Sequence, residues 1–312
     1  MRRTAAFLAL LLAAAPPATA PLWAAPPKGP VDTVERIAIV SAFPPEWITL
    51  QAMIDGKREW TVNGVKFVGG TMAGKPVLLF LSGVSMTNAA MTTQLALDRF
   101  NISRIVFSGV AGGIDPSLDV GDVVVPDRWG SYLESIFARE TGPDAYEPDG
   151  SLLDEPRLNN YGMIYPRAVT VRRDGAAGPE RRFWFDVDPA MLATARAVAA
   201  STRLDRCQQT LCLVAQPKVV IGGNGISASV FMDNRAFREY AFGAFKASVT
   251  DMETAAVGQV AYANNVPYIA FRSLSDLAGG QPGENQARAF YKLASDNSAV
   301  VVKAFVAALD AR

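Results

Sequence analysis

Histidine is missing from all 312 residues. That absence removes imidazole general acid/base catalysis, histidine-activated nucleophiles and histidine metal ligands together. Any chemistry must run on carboxylates, hydroxyls, amides or backbone groups. An excess of charge is missing too: Lys plus Arg and Asp plus Glu both number 30. Without a basic field the chain has no electrostatic footprint for nucleic acid. Cysteine is limited to Cys207 and Cys212. Two thiols fall short of a four-coordinate metal site, and a catalytic thiol would lack its usual base. No apolar run is long enough for a stable membrane span.

What is present starts with a leader-like segment. Arg2 and Arg3 precede the apolar run Ala5 to Ala15, and small residues and prolines follow to Ala25. This pattern predicts a signal peptide over residues 1–25, cut near Ala24 or Ala25, and hence a periplasmic protein. Export would favour a local disulfide between Cys207 and Cys212, with two free structural thiols as the other reading.

Beyond the leader, strands alternate with helices. The apolar β-branched runs Glu35–Ser41, Val62–Gly69, Pro76–Ser82, Ile105–Ser108, Val120–Pro126, Lys218–Ile221 and Tyr268–Arg272 predict strands. Helices are predicted from Pro44, at Met86–Phe100, Asp188–Ser201 and Met252–Asn264, and as one or two over Asn285–Leu309. Asp127 to Arg182 is rich in Pro, Gly, Asp and Arg and reads as a long insertion with short strands. Half the residues are apolar, enough for a sizeable core. The expectation is one domain over 28–312 with an insertion at about 127–182. Its class is α/β, a three-layer αβα sandwich around a central mixed sheet.

The most informative stretches are Thr250-Asp251-Met252-Glu253-Thr254-Ala255-Ala256 and Arg272-Ser273-Leu274-Ser275-Asp276. Each sets a carboxylate in apolar, small-residue surroundings at the edge of a predicted element. The stretch Ser108-Gly109-Val110-Ala111-Gly112-Gly113 reads as a glycine-rich turn after a strand. It is neither a dinucleotide fingerprint nor a P-loop, and no cofactor is called for.

Read in order, Ile39 to Glu46, Ser82-Gly83-Val84, Ser108 to Gly113, Val120 to Val124, Asp251-Met252-Glu253 and Ser275-Asp276 resemble the nucleoside phosphorylase/nucleosidase family. The closest branch is that of the 5′-methylthioadenosine/S-adenosylhomocysteine nucleosidases. The resemblance implies a small-molecule purine nucleoside as substrate and a homodimer. It implies that Glu253 accepts hydrogen bonds from the ribose 2′- and 3′-hydroxyls, with Met252 on the sugar face. Asp276 would act as acid at N7 of the purine, oriented by Ser275. Glu46 would activate water. Phe231 would stack on the base, with Met232 and Ser229 at its edge, and Ser82, Val110 and Gly112 would complete the substrate site.

The physical chemistry of these groups agrees. An ionised carboxylate is a two-oxygen acceptor suited to a vicinal diol. N-glycosidic cleavage passes through an oxocarbenium-like sugar, so a protonated carboxyl at the leaving base helps. Phosphorolysis would need an anion site. The phosphorylase branch has arginines where this chain has Phe107 and the Phe43-Pro44-Pro45-Glu46 loop, and a carboxylate there repels phosphate. Hydrolysis of purine nucleosides is therefore the leading expectation. Phosphorolysis, or an exported non-catalytic nucleoside-binding or storage protein, are the alternatives.

Overall fold

The β-branched run near the start of the chain forms strand Asp32–Ser41, in a computed structural model that describes residues 29–310. The segment read as a signal peptide lies outside the described residues. Twelve strands join in one mixed sheet. Its hub is Phe100–Gly113, whose residues from Arg104 on are buried but for Val110, as expected for a strand covered on both faces. Its first part pairs in parallel with Asp32–Ser41, Ile39 opposite Val106. Its second part pairs in parallel with Tyr268–Asp276, Phe271 opposite Ser108. Its tip meets Ala247–Asp251 antiparallel, Thr250 opposite Gly112.

Helices cover both faces and complete the αβα sandwich. Pro44–Ala52 and Pro189–Ala199 pack on the long terminal helix Ala287–Ala308, while Met86–Arg99 packs on Thr254–Ala263. The first of these follows the sequence directly, with Pro44 and Pro45 in its first turn, where a missing N–H costs nothing. Pro189–Ala199 is capped by Asp188, which accepts the Met191 N–H at 2.9 Å.

Several expectations shift. Gly109 to Gly113 is not a turn but the end of the hub strand. The predicted strand Val62–Gly69 is two strands, Asp55–Val62 and Val65–Met72, folded back antiparallel about Asn63-Gly64. Asp55–Val62 is polar and largely exposed, so it carries no hydrophobic signal. Near the start of the segment read as an insertion, Arg128–Ser131 belongs to the main sheet, paired antiparallel with Trp184–Asp186 just beyond the segment's end. Asn224–Ser227, Arg235–Phe245 and Ala247–Asp251 were not foreseen; the two strands there are short, and Gly-rich or polar. The strand predicted at Tyr268–Arg272 runs on to Asp276, fully buried along its length. Cys207 and Cys212 are joined by a disulfide across a two-residue hairpin.

Phe271 fastens the last strand to the terminal helix. It has no exposed surface, and its ring lies 5.0 Å from that of Phe305. Phe271→Ala should cost about 3–5 kcal/mol in urea denaturation. A loss below about 1 kcal/mol would mean that the helix is held to the sheet by other contacts.

Candidate functional site

The carboxyl ends of Asp32–Ser41, Phe100–Gly113, Ala247–Asp251 and Tyr268–Asp276 converge on a cavity of about 250 Å³. Open α/β sheets bind ligands at that edge. Nine of the residues singled out from the sequence line it: Glu46, Val110, Gly112, Phe231, Met232, Met252, Glu253, Ser275 and Asp276. Two do not. Ser82 is buried at a strand end, its hydroxyl donates to the Gly83 carbonyl at 2.9 Å, and it faces a separate cavity beside Trp47. Ser229 is exposed and anchors its loop to the start of helix Met86–Arg99, its Oγ accepting the Met86 N–H at 3.3 Å and lying 3.1 Å from Ser85 Oγ. Phe43, Val84 and Tyr291 line the cavity without having been singled out; Tyr291 sits in a long amphipathic helix where nothing in the pattern marks it.

Glu46 is 2 % exposed. Its Oε2 accepts the Ala42 N–H at 2.6 Å and its Oε1 the Val110 N–H at 2.7 Å. Burial raises its pKa, against the opposing pull of Arg272 and these backbone donors. The approach is close enough to dictate a glycine in the hub strand. A Cβ on Gly109 would stand 2.2 Å from Arg272 Nη1 and 2.5 Å from Glu46 Oε1. The glycine is there for proximity rather than for a turn.

Arg272 has no exposed surface. Its Nη2 lies 2.8 Å from Asp251 Oδ2 and 3.9 Å from Glu253 Oε2. Its Nε and Nη2 donate to Thr254 Oγ1 at 3.0 and 2.7 Å. The guanidinium stacks 3.9 Å over the Phe107 ring, a favourable placement for a planar cation. Asp251 in turn accepts from Ser227 Oγ, Thr254 Oγ1 and the N–H groups of Glu253 and Thr254. Glu253 is thereby held at the N-terminus of helix Thr254–Ala263, where its Oε1 accepts the Ser85 N–H at 2.9 Å. Burial, then the Asp251 charge, pushes its pKa up to about 7.

Asp276 is 3 % exposed. Oδ1 accepts the Ala278 N–H at 2.8 Å, and Oδ2 accepts the Ser275 hydroxyl at 2.9 Å. Burial still raises its pKa above the usual carboxylate range. Phe231 lies at the rim, 53 % exposed, while Met232 is buried. The cavity thus sets four carboxyls, Glu46, Asp251, Glu253 and Asp276, in a lining that is otherwise mostly apolar, and Asp251 is taken up by Arg272, Ser227 and Thr254. Such an arrangement can accept hydrogen bonds from a polyol, protonate a leaving group and deprotonate water.

The profile of the Phosphorylase superfamily matches residues 36–307, and the chain belongs to that superfamily. Over 274 residues it is 27 % identical to the 5′-methylthioadenosine/S-adenosylhomocysteine nucleosidase of Mycobacterium tuberculosis, covering 86 % of this chain and 95 % of that protein. It is also 26 % identical over 255 residues to bark storage protein A of Populus deltoides, covering 78 % of each. Among solved structures it is similar to a 5′-methylthioadenosine/S-adenosylhomocysteine nucleosidase from S. pneumoniae, with TM-score 0.64, 23 % identity, and 89 % and 100 % of the two chains covered. The futalosine hydrolase of Helicobacter pylori gives TM-score 0.65 and 23 % identity, with 88 % and 99 % covered. Both structural likenesses show the fold.

A carboxyl raised from 4.5 to about 7 binds its proton more tightly in the folded state than in the unfolded chain. Its contribution to stability is complete below pH 4.5 and is lost as pH rises through about 7. Glu253→Gln removes that dependence. The stability of the variant relative to the parent, measured by urea denaturation of ligand-free protein, should therefore rise between pH 5 and 8, by on the order of 2–3 kcal/mol. A constant difference would contradict the raised pKa.

Proposed function

We propose that this protein hydrolyses the N-glycosidic bond of purine nucleosides of the 5′-methylthioadenosine/S-adenosylhomocysteine type, releasing free base and the ribose moiety. The observation that carries this reading is the convergence of Glu46, Glu253 and Asp276, all buried, on one cavity. Glu253 accepts hydrogen bonds from the ribose diol, and Met252 packs on the sugar face. Phe231 stacks on the base, with Met232 beside it. Asp276, whose carboxyl burial pushes toward the neutral form, gives its proton to the departing purine. Glu46 takes a proton from the attacking water as the sugar develops oxocarbenium character.

Water is favoured over phosphate by what the local donors already do. The N–H groups of Ala42 and Val110 are both taken by the Glu46 carboxylate, which would itself repel phosphate. Arg272 is fully buried and committed to Asp251 and Thr254. The likeness to a bark storage protein supports a second reading, a nucleoside-binding protein without turnover, but the three carboxyls in one cavity weigh against it.

The half-exposed Phe231 and the exposed apolar residues Val84 and Val230, all lining the cavity, support a homodimer that covers this rim. The Arg-led apolar segment at the N-terminus and the Cys207–Cys212 disulfide support a periplasmic location.

The test is to incubate the protein with 5′-methylthioadenosine, S-adenosylhomocysteine, adenosine and inosine, with and without phosphate, and to quantify free base by chromatography. Base release independent of phosphate is expected. Release only with phosphate would make the protein a phosphorylase, and none with any nucleoside would favour the binding protein. Asp276→Asn and Glu46→Gln should each lower kcat by about 10²–10⁴-fold, with nucleoside binding by calorimetry retained. Unchanged turnover would remove that residue from the mechanism.

A further inference from the structure

The chain turns sharply just after Asp276. Ala278 takes φ +51°, a left-handed conformation that an alanine enters only at a cost. In that conformation its N–H donates to Asp276 Oδ1 at 2.8 Å. Its methyl group is fully buried, in a cluster with Tyr132 and Met232. The turn also closes on itself. Gly280 N–H donates to the Leu277 carbonyl at 2.8 Å, and Leu277 N–H donates to Gln281 Oε1 at 3.2 Å. Backbone strain of this kind persists only where the surroundings over-determine it. What grips the turn from outside therefore bears on the carboxyl it holds.

Two neighbours grip it. Gly279, at φ +88°, passes so close to the backbone of Asn234 that a Cβ would lie 2.5 Å from its nitrogen. The second neighbour is Arg238, half-buried in the first turn of helix Arg235–Phe245. Its Nε donates to the carbonyl of Gly113, the last residue of the hub strand, at 2.9 Å. Its guanidinium lies against Gly280, where a Cβ would stand 2.6 Å from Cζ and from Nη1 and 2.8 Å from Nε. One side chain thus ties together the helix that follows Phe231 and Met232, the tip of the hub and the turn after Asp276. A planar, delocalised cation suits the place, because it can donate from one edge while a face or edge packs on bare backbone. The hydrolysis proposed above gives Arg238 no part.

We propose that Arg238 is a positioning residue for the reaction: by bridging Gly113 and Gly280 it clamps the turn that aims the Ala278 N–H at Asp276. This rests on the reading of Asp276 as the acid. Arg238 itself is not among the residues that line the cavity, so it acts through the turn. Without the clamp, Ala278 is free to leave its left-handed conformation, and Asp276 loses a fixed donor on Oδ1. A misplaced acid slows proton transfer to the leaving base while the contacts that bind the nucleoside stay in place.

The experiment pairs steady-state kinetics on 5′-methylthioadenosine with amide hydrogen exchange at Ala278, read by NMR in ligand-free protein, for the parent, Arg238→Ala, Gly280→Ala and the double variant. Arg238→Ala should lower kcat about tenfold with KM within about twofold, and should speed Ala278 exchange at least about tenfold. Gly280→Ala should act in the same direction, because its methyl group displaces the guanidinium. In the Arg238→Ala background that methyl group has room, so the double variant should be no worse than Arg238→Ala alone. If Arg238→Ala does not fold, Gly280→Ala alone carries the kcat and exchange comparison. An unchanged kcat, a defect confined to KM, unchanged exchange at Ala278, or losses that multiply in the double variant would overturn the proposal. If the parent cleaves no nucleoside, the reading of Asp276 as the acid fails. The exchange rates still decide whether Arg238 clamps the turn.

Discussion

A guanidinium with no exposed surface is the constraint on which the rest of the site depends. Removing Arg272 from water is costly, and the cost is offset only if charge and hydrogen bonds surround it. Asp251 supplies the close negative partner, Thr254 two hydrogen bonds and Phe107 an aromatic face. Because Asp251 is committed to the cation, to Ser227 and to two backbone N–H groups, strand Ala247–Asp251 and helix Thr254–Ala263 meet in one fixed geometry. Glu253 sits at that junction. Its second oxygen is 3.9 Å from the guanidinium, near enough for a bound diol to find an ionisable acceptor and far enough to leave Glu253 its raised pKa. Glu46 Oε1 and Arg272 Nη1 both crowd the position that a Cβ on Gly109 would take.

In the proposed hydrolysis, Glu46, Glu253 and Asp276 divide their work through unequal environments rather than unequal chemistry. Burial pushes all of them toward the neutral form. Glu46 and Glu253 also feel Arg272, which draws both back toward ionisation. Asp276 lacks that neighbour; it is stabilised by Ser275 and Ala278 and opposed by Asp233. An acid away from the cation and a base beside it is the separation that a hydrolysis without histidine requires.

Much of this was legible in the sequence, for identifiable reasons. Glu46 and Asp276 each lie where a predicted apolar strand ends, and those two strands run parallel to the hub, so their placement at one edge of the sheet follows from strand direction; Glu253 follows Ala247–Asp251, an unforeseen strand that meets the hub antiparallel. The glycines of Ser108 to Gly113 were visible, but their purpose was not. Nothing in a run of small residues distinguishes a turn from a strand that must pass a bulky guanidinium. The direction of Arg272 could not be read either, since strand alternation has no phase until one residue is anchored. Ser82 and Ser229 stand within two residues of true lining residues, Val84 and Val230, and residue type alone does not separate neighbours so close along the chain. The insertion read from Asp127 to Arg182 gives its first flank, Arg128–Ser131, to the sheet. Its middle packs against helix Arg235–Phe245 through Tyr161 and Tyr240, 5.1 Å apart, and it adds no lining residue to the cavity.

The central claim is that Glu46, backed by Arg272, delivers water to the sugar while Asp276 releases the base. Turnover of a purine nucleoside in ¹⁸O-water, with the sugar product reduced at once to prevent exchange and analysed by mass spectrometry, tests this most directly. The account predicts one ¹⁸O atom on the anomeric carbon per base released, in the presence or absence of phosphate. A sugar 1-phosphate, or a sugar without label, would contradict it.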